Sequence, residues 1–252
     1  LRPLGYFRLS SLYMIAQTFY LVNKNIDMKR KIGYALLMRY DTVIFDLDGT
    51  LLDTLDDLTD GVNHALADFG YPLVSREHMR ASLGYGSRYL ISHCVPGGYD
   101  DPNYQAVFDD YLEYYRAHSS EKTAPYPGII ELLGRLKASG VHCAIVSNKP
   151  DSAAQVLGER WFSDLVEAVV GDREGIRRKP APDSVLEVMR MLGSKHKDTV
   201  YIGDSEVDIE TAANAGVDCI SVTWGFRTPE QLHESGASVL VSDAKELEQS
   251  LN

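Results

Sequence analysis

The sequence predicts an α/β fold: a parallel β-sheet with helices on both faces, plus an inserted all-helical segment. Three observations favour it. Short apolar runs alternate with helical patterns from about residue 125 to the end of the chain. An apolar run at 42–45 lies far upstream, and the residues between, 55–124, show helical spacing without a convincing strand. The 252 residues, 44% of them apolar, suit one core with one smaller insertion.

The first predicted strand, 42–45, is an apolar run that ends in acidic residues, which is typical of a buried parallel strand. A helix follows over 55–69, where apolar residues recur at spacings of three and four, and Gly70 and Pro72 end it. Similar patterns predict further helices at 76–83, 87–94 and 103–118. The inserted segment, residues 55–124, therefore separates two parts of the core, residues 38–54 and 125–252.

The second part of the core alternates regularly between strands and helices. Its predicted strands are 141–146, 165–170, 199–202, 217–222 and 239–241. Its predicted helices are 129–139, 151–160, 182–192, 207–215 and 244–251. Because parallel strands need crossover connections, this order predicts a Rossmann-like sheet covered by helices on both faces.

Residues 1–37 differ from the rest, since Asp27 is their one acidic residue. The apolar stretch 12–22 resembles a signal peptide, but it contains Gln17 and is too short to span a bilayer. We expect residues 1–37 to be an extension outside the core, with Met38 directly before the first strand. An export signal and a genuine extra element are the alternatives.

The formal net charge of −11 argues against nucleic acid as a partner, because phosphate contacts need clustered Lys and Arg. An anionic substrate would therefore need positive charge supplied locally, by a metal ion and a well-placed Lys. The three cysteines form no C-x-x-C pair, which suits reduced core thiols in the cytoplasm. The histidines lack metal-ligand spacing, and we expect no membrane partner.

Two acidic clusters follow predicted strands. Asp46 and Asp48 directly follow the first strand, and Gly49 and Thr50 come next. Gly49 permits a tight turn, and two carboxylates two residues apart can reach one small site. One could attack phosphorus while the other transfers protons. Asp204 and Asp208 follow the strand at 199–202 and could complete an oxygen shell for Mg²⁺. Taken singly, an Asp-rich turn and N-capping acids are the alternative explanations of these clusters, and the functional interpretation is favoured for both.

Two further clusters offer groups that bind anions. Ser147 and Asn148 follow the strand at 141–146, just before a predicted helix whose free N–H groups would face an anion. Lys179 lies between prolines and could neutralise phosphate charge. An ordinary loop-to-helix entry and a solvated basic turn are the simpler explanations of each alone. Four complementary groups at the strand ends of one sheet are better explained by a shared site.

The run Phe45-Asp46-Leu47-Asp48-Gly49-Thr50-Leu51 is highly specific, and Gly203-Asp204-Ser205-Glu206-Val207-Asp208-Ile209 is nearly so. On these motifs the chain, from about Met38 to Asn252, resembles the haloacid dehalogenase-like hydrolase superfamily and, within it, the phosphoglycolate phosphatase branch. The resemblance implies a phosphatase that acts on a small phosphorylated metabolite. It also implies that the inserted helices form a mobile cap that excludes water on closing.

The resemblance also implies a role for each motif residue. Asp46 would be the nucleophile and Asp48 the general acid/base, and the two would bind Mg²⁺ together with Asp204, with Asp48 contributing its carbonyl. Phosphate would be bound by Thr50, Ser147, Asn148 and Lys179. Asp208 would support the metal ligands or orient Lys179. In the cap, Tyr85 and Arg88 are candidate substrate contacts, although their loop could equally be a simple helix–helix turn.

The favoured activity is hydrolysis of a small phosphomonoester, 2-phosphoglycolate above others. A sugar-phosphate mutase resembling β-phosphoglucomutase is the main alternative, because Gly86-Ser87-Arg88 is similar to that group. A pyrophosphatase or nucleotidase would use the same mechanism. A dehalogenase is disfavoured because Asp48 has no role in that chemistry. A binding protein on an inactive scaffold is disfavoured because the nucleophile, the acid and the metal ligands are all present.

Overall fold

The structure, a computed structural model, describes residues 38–252. Its strands are β1 (Thr42–Phe45), β2 (Leu52–Asp53), β3 (Ala124–Pro125), β4 (His142–Pro150), β5 (Ala168–Asp172), β6 (Thr199–Gly203), β7 (Asp218–Val222) and β8 (Leu240–Val241). Six of them form one parallel sheet in the order β5-β4-β1-β6-β7-β8. The other two, β2 and β3, pair with each other in antiparallel fashion.

The helices fall into two groups. Those before β3 are α1 (Leu55–Asp68), α2 (Arg76–Ser82), α3 (Ser87–Cys94) and α4 (Tyr104–His118). Those after it are α5 (Ile129–Ala138), α6 (Asp151–Phe162), α7 (Asp183–Leu192), α8 (Glu206–Ala215), α9 (Pro229–Glu234) and α10 (Ala244–Ser250). We refer to α1–α4 and their connecting loops, residues 55–118, as the cap helices.

The central strands are apolar on both faces because helices cover both sides of the sheet. On one face, Val43 and Phe45 of β1 lie in a buried cluster with side chains from α5, α6 and α10. On the other face, Ile44 lies in a second cluster with side chains from α7 and α8. Since side chains alternate along a strand, the continuous run in β1 supplies both cores.

The cap helices have a hydrophobic core of their own. Helix α1 packs mainly against α4, and the buried side chains at this contact include Leu58, Val62, Phe108 and Tyr111. The spacing of three and four residues places these side chains along one stripe of each helix. The cap helices therefore form a packed unit that rests on the strand ends of the sheet.

The predicted fold class is confirmed: a parallel sheet carries helices on both faces and an all-helical insertion. The strand expected at 165–170 begins later, at Ala168. The β2–β3 pairing and helix α9 were not expected, and Ala124 lies in a strand rather than in the helical insertion. Strands of two residues are too short to show a repeating pattern in the sequence. The extension expected at residues 1–37 lies outside the described residues.

The three cysteines are free thiols, as expected, and Cys94 and Cys143 are buried. Burial raises the pKa of each of these two thiols to about 12, so neither is a reactive thiolate. Within residues 38–252, no helix is both long and apolar enough to cross a membrane.

Candidate active site

The polar motifs converge because three neighbouring parallel strands end at the same edge of the sheet. Asp46 follows β1, Ser147 lies near the end of β4, and Asp204 follows β6. The order β4-β1-β6 places β1 between the other two. Lys179 reaches the same edge from the loop between β5 and α7. Ligands of open α/β sheets bind at such an edge.

Lys179 is a buried ammonium group at the centre of the cluster. Its Nζ lies 2.9 Å from Asp46 Oδ1 and 2.7 Å from Asp208 Oδ1, and it donates to the Tyr201 hydroxyl at 2.9 Å. Asn148 holds the backbone of this lysine, since Asn148 Oδ1 accepts from the Lys179 amide at 2.8 Å and Asn148 Nδ2 donates to the Lys179 carbonyl at 3.0 Å. The lysine is therefore fixed at both its main chain and its ammonium group.

Asp208 orients two neighbours of the cluster. One of its carboxylate oxygens pairs with Lys179, and the other accepts from the Asp204 and Ser205 amides at 3.2 and 3.1 Å. The Ser205 hydroxyl also donates to it, at 2.7 Å, in the first turn of α8. Both oxygens of Asp208 are thus committed to protein donors.

Asp204 is held in place by a hydroxyl and an amide. Thr50 Oγ1 donates to Asp204 Oδ1 at 3.2 Å, and the Phe226 amide donates to Asp204 Oδ2 at 2.7 Å. Two glycines leave the room for this carboxylate: a Cβ at Gly49, whose φ is +86°, or at Gly225 would lie 2.4 Å from Asp204 Oδ2. Glycine is therefore required at both positions.

The buried carboxylates carry more negative charge than Lys179 offsets. Burial raises the pKa of Asp46 to about 7, against the lowering effect of Lys179. Burial and the charges of Asp208 and Asp46 raise the pKa of Asp204 well above its usual range. Burial disfavours the charged form of Lys179, but the carboxylates of Asp208 and Asp46 outweigh it and raise the pKa of this lysine well above its usual range. The cluster is therefore suited to bind an additional cation.

The donor set fits a hard divalent metal ion. Carboxylate oxygens of Asp46, Asp204 and Asp208 lie within 4.8 Å of one another, and all three residues are buried. Asp46 Oδ1 has no hydrogen-bond partner among residues 38–252, although the Lys179 ammonium is near. Asp208 pairs with Lys179 through one oxygen and accepts three hydrogen bonds on the other, whereas each oxygen of Asp204 accepts one. Asp46 and Asp204 therefore keep more free lone pairs for a metal than Asp208 does. Oxygen ligands of this kind suit Mg²⁺.

A small cavity opens above these groups, between the core and the cap helices. Its volume is about 40 Å³, and its walls include Asp46, Asp48, Ser147, Asn148 and Asp204 from the core and Leu83, Gly84, Gly86, Ser87 and Tyr111 from the cap helices. A larger groove, of about 750 Å³, runs past Arg76, Arg80 and Arg227 but is lined by none of these core residues. The smaller cavity is therefore the candidate active site.

Comparison with known proteins agrees with this geometry. A family model described as haloacid dehalogenase-like hydrolase matches residues 43–222. The chain belongs to this hydrolase family. Phosphoglycolate phosphatase 1 of Pseudomonas aeruginosa is 33% identical over 211 residues, which cover 81% of this chain and 77% of that protein.

Two crystal structures of similar proteins show the same fold as this hydrolase. One, from Lactobacillus delbrueckii subsp. bulgaricus and provisionally assigned as a phosphoglycolate phosphatase, is 38% identical with a TM-score of 0.79, covering 85% of this chain and 99% of that one. The other, a predicted phosphoglycolate phosphatase from Haemophilus somnus, is 25% identical with a TM-score of 0.79, covering 86% and 100%.

The loop between α2 and α3 of this hydrolase docks on the core through its backbone. Three successive carbonyl oxygens, of Leu83, Gly84 and Tyr85, accept hydrogen bonds from core side chains. The donors are Arg227 at 2.8 Å, Asn148 at 2.9 Å and Arg178 at 3.4 Å, respectively. Asn148 lies in β4, and Arg178 and Arg227 lie in the loops after β5 and β7, so the loop contacts three separate parts of the motif region. Asn148 thus contacts both this loop and Lys179.

Several residues predicted from the sequence have unexpected surroundings. The cap residues Tyr85 and Arg88 are not among those that line the cavity. Burial and the nearby Glu206 carboxylate raise the pKa of the Tyr85 hydroxyl, and the Arg88 guanidinium lies 4.4 Å from the centre of the Phe108 ring. Gly86 and Ser87 from the same loop line it instead. The Thr50 hydroxyl bonds to Asp204, so its predicted phosphate contact stays a prediction.

The structure adds residues that the motif analysis gave no role. Phe226 and Gly225 hold Asp204, but they lie in a loop after β7 whose sequence shows no recognisable pattern. Tyr111 and Ser87 line the cavity from the cap helices. Lys149 reaches Asp48 from within β4, whereas the strand expected from the sequence ends at residue 146 and leaves Lys149 in a loop before the helix.

Proposed function

We propose that this hydrolase is a magnesium-dependent phosphatase that cleaves a small phosphomonoester through an aspartyl-phosphate intermediate on Asp46. The main support is the geometry at the strand ends. Asp46, Ser147 and Asp204 line one cavity and supply a nucleophile, a hydroxyl and a metal ligand, and the Lys179 ammonium lies 2.9 Å from Asp46 Oδ1 and supplies a cation. We further propose that the cap helices act as a closing cap over this cavity. Removal of bulk water favours transfer of the phosphoryl group to the Asp46 carboxylate over its transfer to water.

The reaction has two steps on the chain's own residues. An Asp46 carboxylate oxygen bonds to phosphorus while the bond from phosphorus to the leaving oxygen breaks, and Asp48 gives that oxygen its proton. Water then attacks phosphorus and gives a proton to Asp48 while the bond from phosphorus to the Asp46 oxygen breaks. Inorganic phosphate is released, and both carboxyl groups are restored. Asp48 lines the cavity and is partly exposed, which suits a group that exchanges protons with water.

Charge stabilisation falls to the groups around Asp46. The Lys179 ammonium lies 2.9 Å from Asp46 and can offset the negative charge shared by the nucleophile and the phosphoryl oxygens. The Ser147 hydroxyl and the backbone N–H of Asn148 are proposed to hold phosphoryl oxygens. Asp46, Asp204 and the Asp48 carbonyl would hold Mg²⁺, which when bound supplies positive charge beside the transferring phosphoryl group.

For the substrate, we propose 2-phosphoglycolate. The relative from Pseudomonas aeruginosa, 33% identical to this chain, is named phosphoglycolate phosphatase 1.

A panel of phosphorylated metabolites, assayed for phosphate release with Mg²⁺, tests the substrate assignment. We expect 2-phosphoglycolate to give a kcat/KM at least about 100-fold above those of glucose 1-phosphate, pyrophosphate and nucleoside monophosphates, because one well-placed set of polar contacts is worth that factor. Conversion of glucose 1-phosphate to glucose 6-phosphate without phosphate release would instead identify a mutase.

Magnesium is expected to stabilise the protein more at pH 8 than at pH 5.5. Burial raises the pKa of Asp46 to about 7 from an ordinary 3.8, so the cation-free folded protein keeps a proton that the unfolded chain releases. That contribution to stability is complete below about pH 4 and is lost as the pH rises through about 7. Protons and cation compete for the same oxygens, so saturating Mg²⁺ should raise Tm by about 5–10 °C at pH 8 and by about 2 °C at pH 5.5.

Thermal melting with and without Mg²⁺ at the two pH values measures this difference. The Asp204→Asn variant is the matched control, because it loses one oxygen ligand and should show no Mg²⁺-dependent gain at either pH. Equal gains at both pH values in the unaltered protein would contradict proton competition at this site.

A further inference from the structure

Lys149 is a buried lysine that the proposed reaction does not use. It lies in the last part of β4, two residues after Ser147, and its side chain is 2% exposed. A lysine this deeply buried needs a charged or polar partner to offset the loss of hydration. The identity of its partners therefore indicates what the side chain does.

The first partner is the proposed acid/base. Lys149 Nζ lies 2.9 Å from Asp48 Oδ1 and 3.1 Å from Asp48 Oδ2. Contact with both oxygens limits rotation of the carboxyl group about its own axis, which a single hydrogen bond would allow. Asp48 is otherwise partly exposed at the cavity wall, with a side chain that is 18% exposed. Lys149 thus holds in place a carboxyl group that the cavity wall alone would leave free to rotate.

The second partner belongs to the cap helices. Lys149 Nζ donates to the Tyr115 hydroxyl at 2.8 Å and lies 4.7 Å from the centre of the Tyr115 ring. Tyr115 is buried in α4, where its ring stacks on that of Tyr111, which lines the cavity. One ammonium group therefore joins the acid/base of the core to the main helix of the cap.

We propose that Lys149 is a positioning residue that holds the Asp48 carboxyl group toward the leaving oxygen, and that Tyr115 fixes Lys149 when the cap helices lie on the core. Proton donation would then be at full strength only in the closed arrangement. This inference rests on the proposed function, because it assigns Asp48 the proton transfer to the leaving group.

Two small substrates separate proton donation from general damage to the site. Cleavage of 2-phosphoglycolate expels an alkoxide, a strong base that needs a proton in the transition state. Cleavage of acetyl phosphate expels acetate, a weak base that needs none. The value of kcat/KM reports the first phosphoryl transfer for both, so a residue that positions the acid affects one substrate and spares the other.

In the Lys149→Met variant, we expect kcat/KM for 2-phosphoglycolate to fall by about 100-fold or more and that for acetyl phosphate by less than about 10-fold. Lys122→Met, which removes an exposed lysine paired with Asp60, is the matched control and should leave both values unchanged. Equal losses on the two substrates, or no loss on either, would overturn the positioning role.

Tyr115→Phe removes only the hydroxyl group and keeps the proposal testable should Lys149→Met fail to fold. We expect about a 5-fold to 10-fold loss on 2-phosphoglycolate with acetyl phosphate nearly unchanged, because one hydrogen bond to a charged group is lost. A loss shared by both substrates, or none, again rejects the coupling to the cap. The Asp46→Asn variant, assayed in parallel, separates the two proposals. Its activity tests the proposed phosphatase function, whereas the ratio of kcat/KM on the two substrates in the Lys149 and Tyr115 variants tests the positioning role.

Discussion

Replacing Asp46 by Asn is expected to lower phosphate release from 2-phosphoglycolate by about 10⁴-fold or more. The amide has nearly the same shape as the carboxyl group but is a poor nucleophile, so no covalent intermediate can form. The fold should survive, because a buried carboxyl group whose pKa is raised to about 7 is not a source of stability at neutral pH. Initial rates of phosphate release with Mg²⁺, together with thermal melting, measure both effects.

Trapping the intermediate gives this prediction its control. Brief incubation with ³²P-labelled acetyl phosphate and acid quenching should label the Asp48→Asn variant, which keeps the nucleophile but lacks the base for hydrolysis. The Asp46→Asn variant should carry no label. Label on Asp46→Asn, or turnover within about 10-fold of the unaltered protein, would contradict a nucleophilic role for this residue.

Replacing Lys179 by Met is expected to destabilise the protein by about 3–5 kcal/mol at pH 8. The ammonium lies between the carboxylates of Asp46 and Asp208, and its side chain is 2% exposed. Without it, the buried carboxylates face one another uncompensated. Because they can take up protons at lower pH, the loss should be smaller at pH 5.5. Urea unfolding at the two pH values measures the free energies, and phosphatase activity should fall as well.

Arg135→Met is the matched control for this prediction. Arg135 forms two hydrogen bonds to Glu248, at 2.7 and 2.9 Å, in an ion pair whose arginine side chain is 51% exposed. Exposed pairs contribute less than about 1 kcal/mol, since water solvates both charges when the pair is broken. If the two variants lost equal stability, the buried cation would not have the structural role that its contacts indicate.

The central sheet could be predicted because its strands are buried on both faces. An unbroken apolar run such as 42–45 is the direct consequence of two helical layers, and it predicts a parallel strand without any knowledge of its neighbours. The same geometry makes the motif positions predictable: Asp46 and Asp204 follow adjacent parallel strands, so they must lie at one edge.

The missed elements are those whose formation depends on the tertiary structure. The β2–β3 pairing has two residues in each strand, and helix α9 has six residues, so each covers fewer than two periods of its pattern. Short elements are formed by their surroundings more than by their own sequence. The register and length of such pieces could not be deduced from residue types alone.

The cap contacts could not be predicted because they depend on side-chain direction. The loop near Gly86 was expected to present Tyr85 and Arg88, yet it brings Gly84, Gly86 and Ser87 to the cavity wall. Residues next to each other in a loop point in different directions, and the sequence gives no period from which to choose. The contacts of Lys149 were missed for a similar reason, because the structure and not the sequence shows that this lysine is buried.

The backbone docking of the loop at Leu83, Gly84 and Tyr85 has a consequence for how selectivity can change. Every amino acid offers the same carbonyl oxygen, so point mutations along the loop keep these three acceptors. Leu83 is buried in the cap core and Gly84 has a φ of +114°, so Tyr85 is the residue of the three whose side chain can be exchanged while the loop stays docked on the core. Such an arrangement lets new substrate preferences evolve or be engineered in few steps, with the catalytic chemistry left intact.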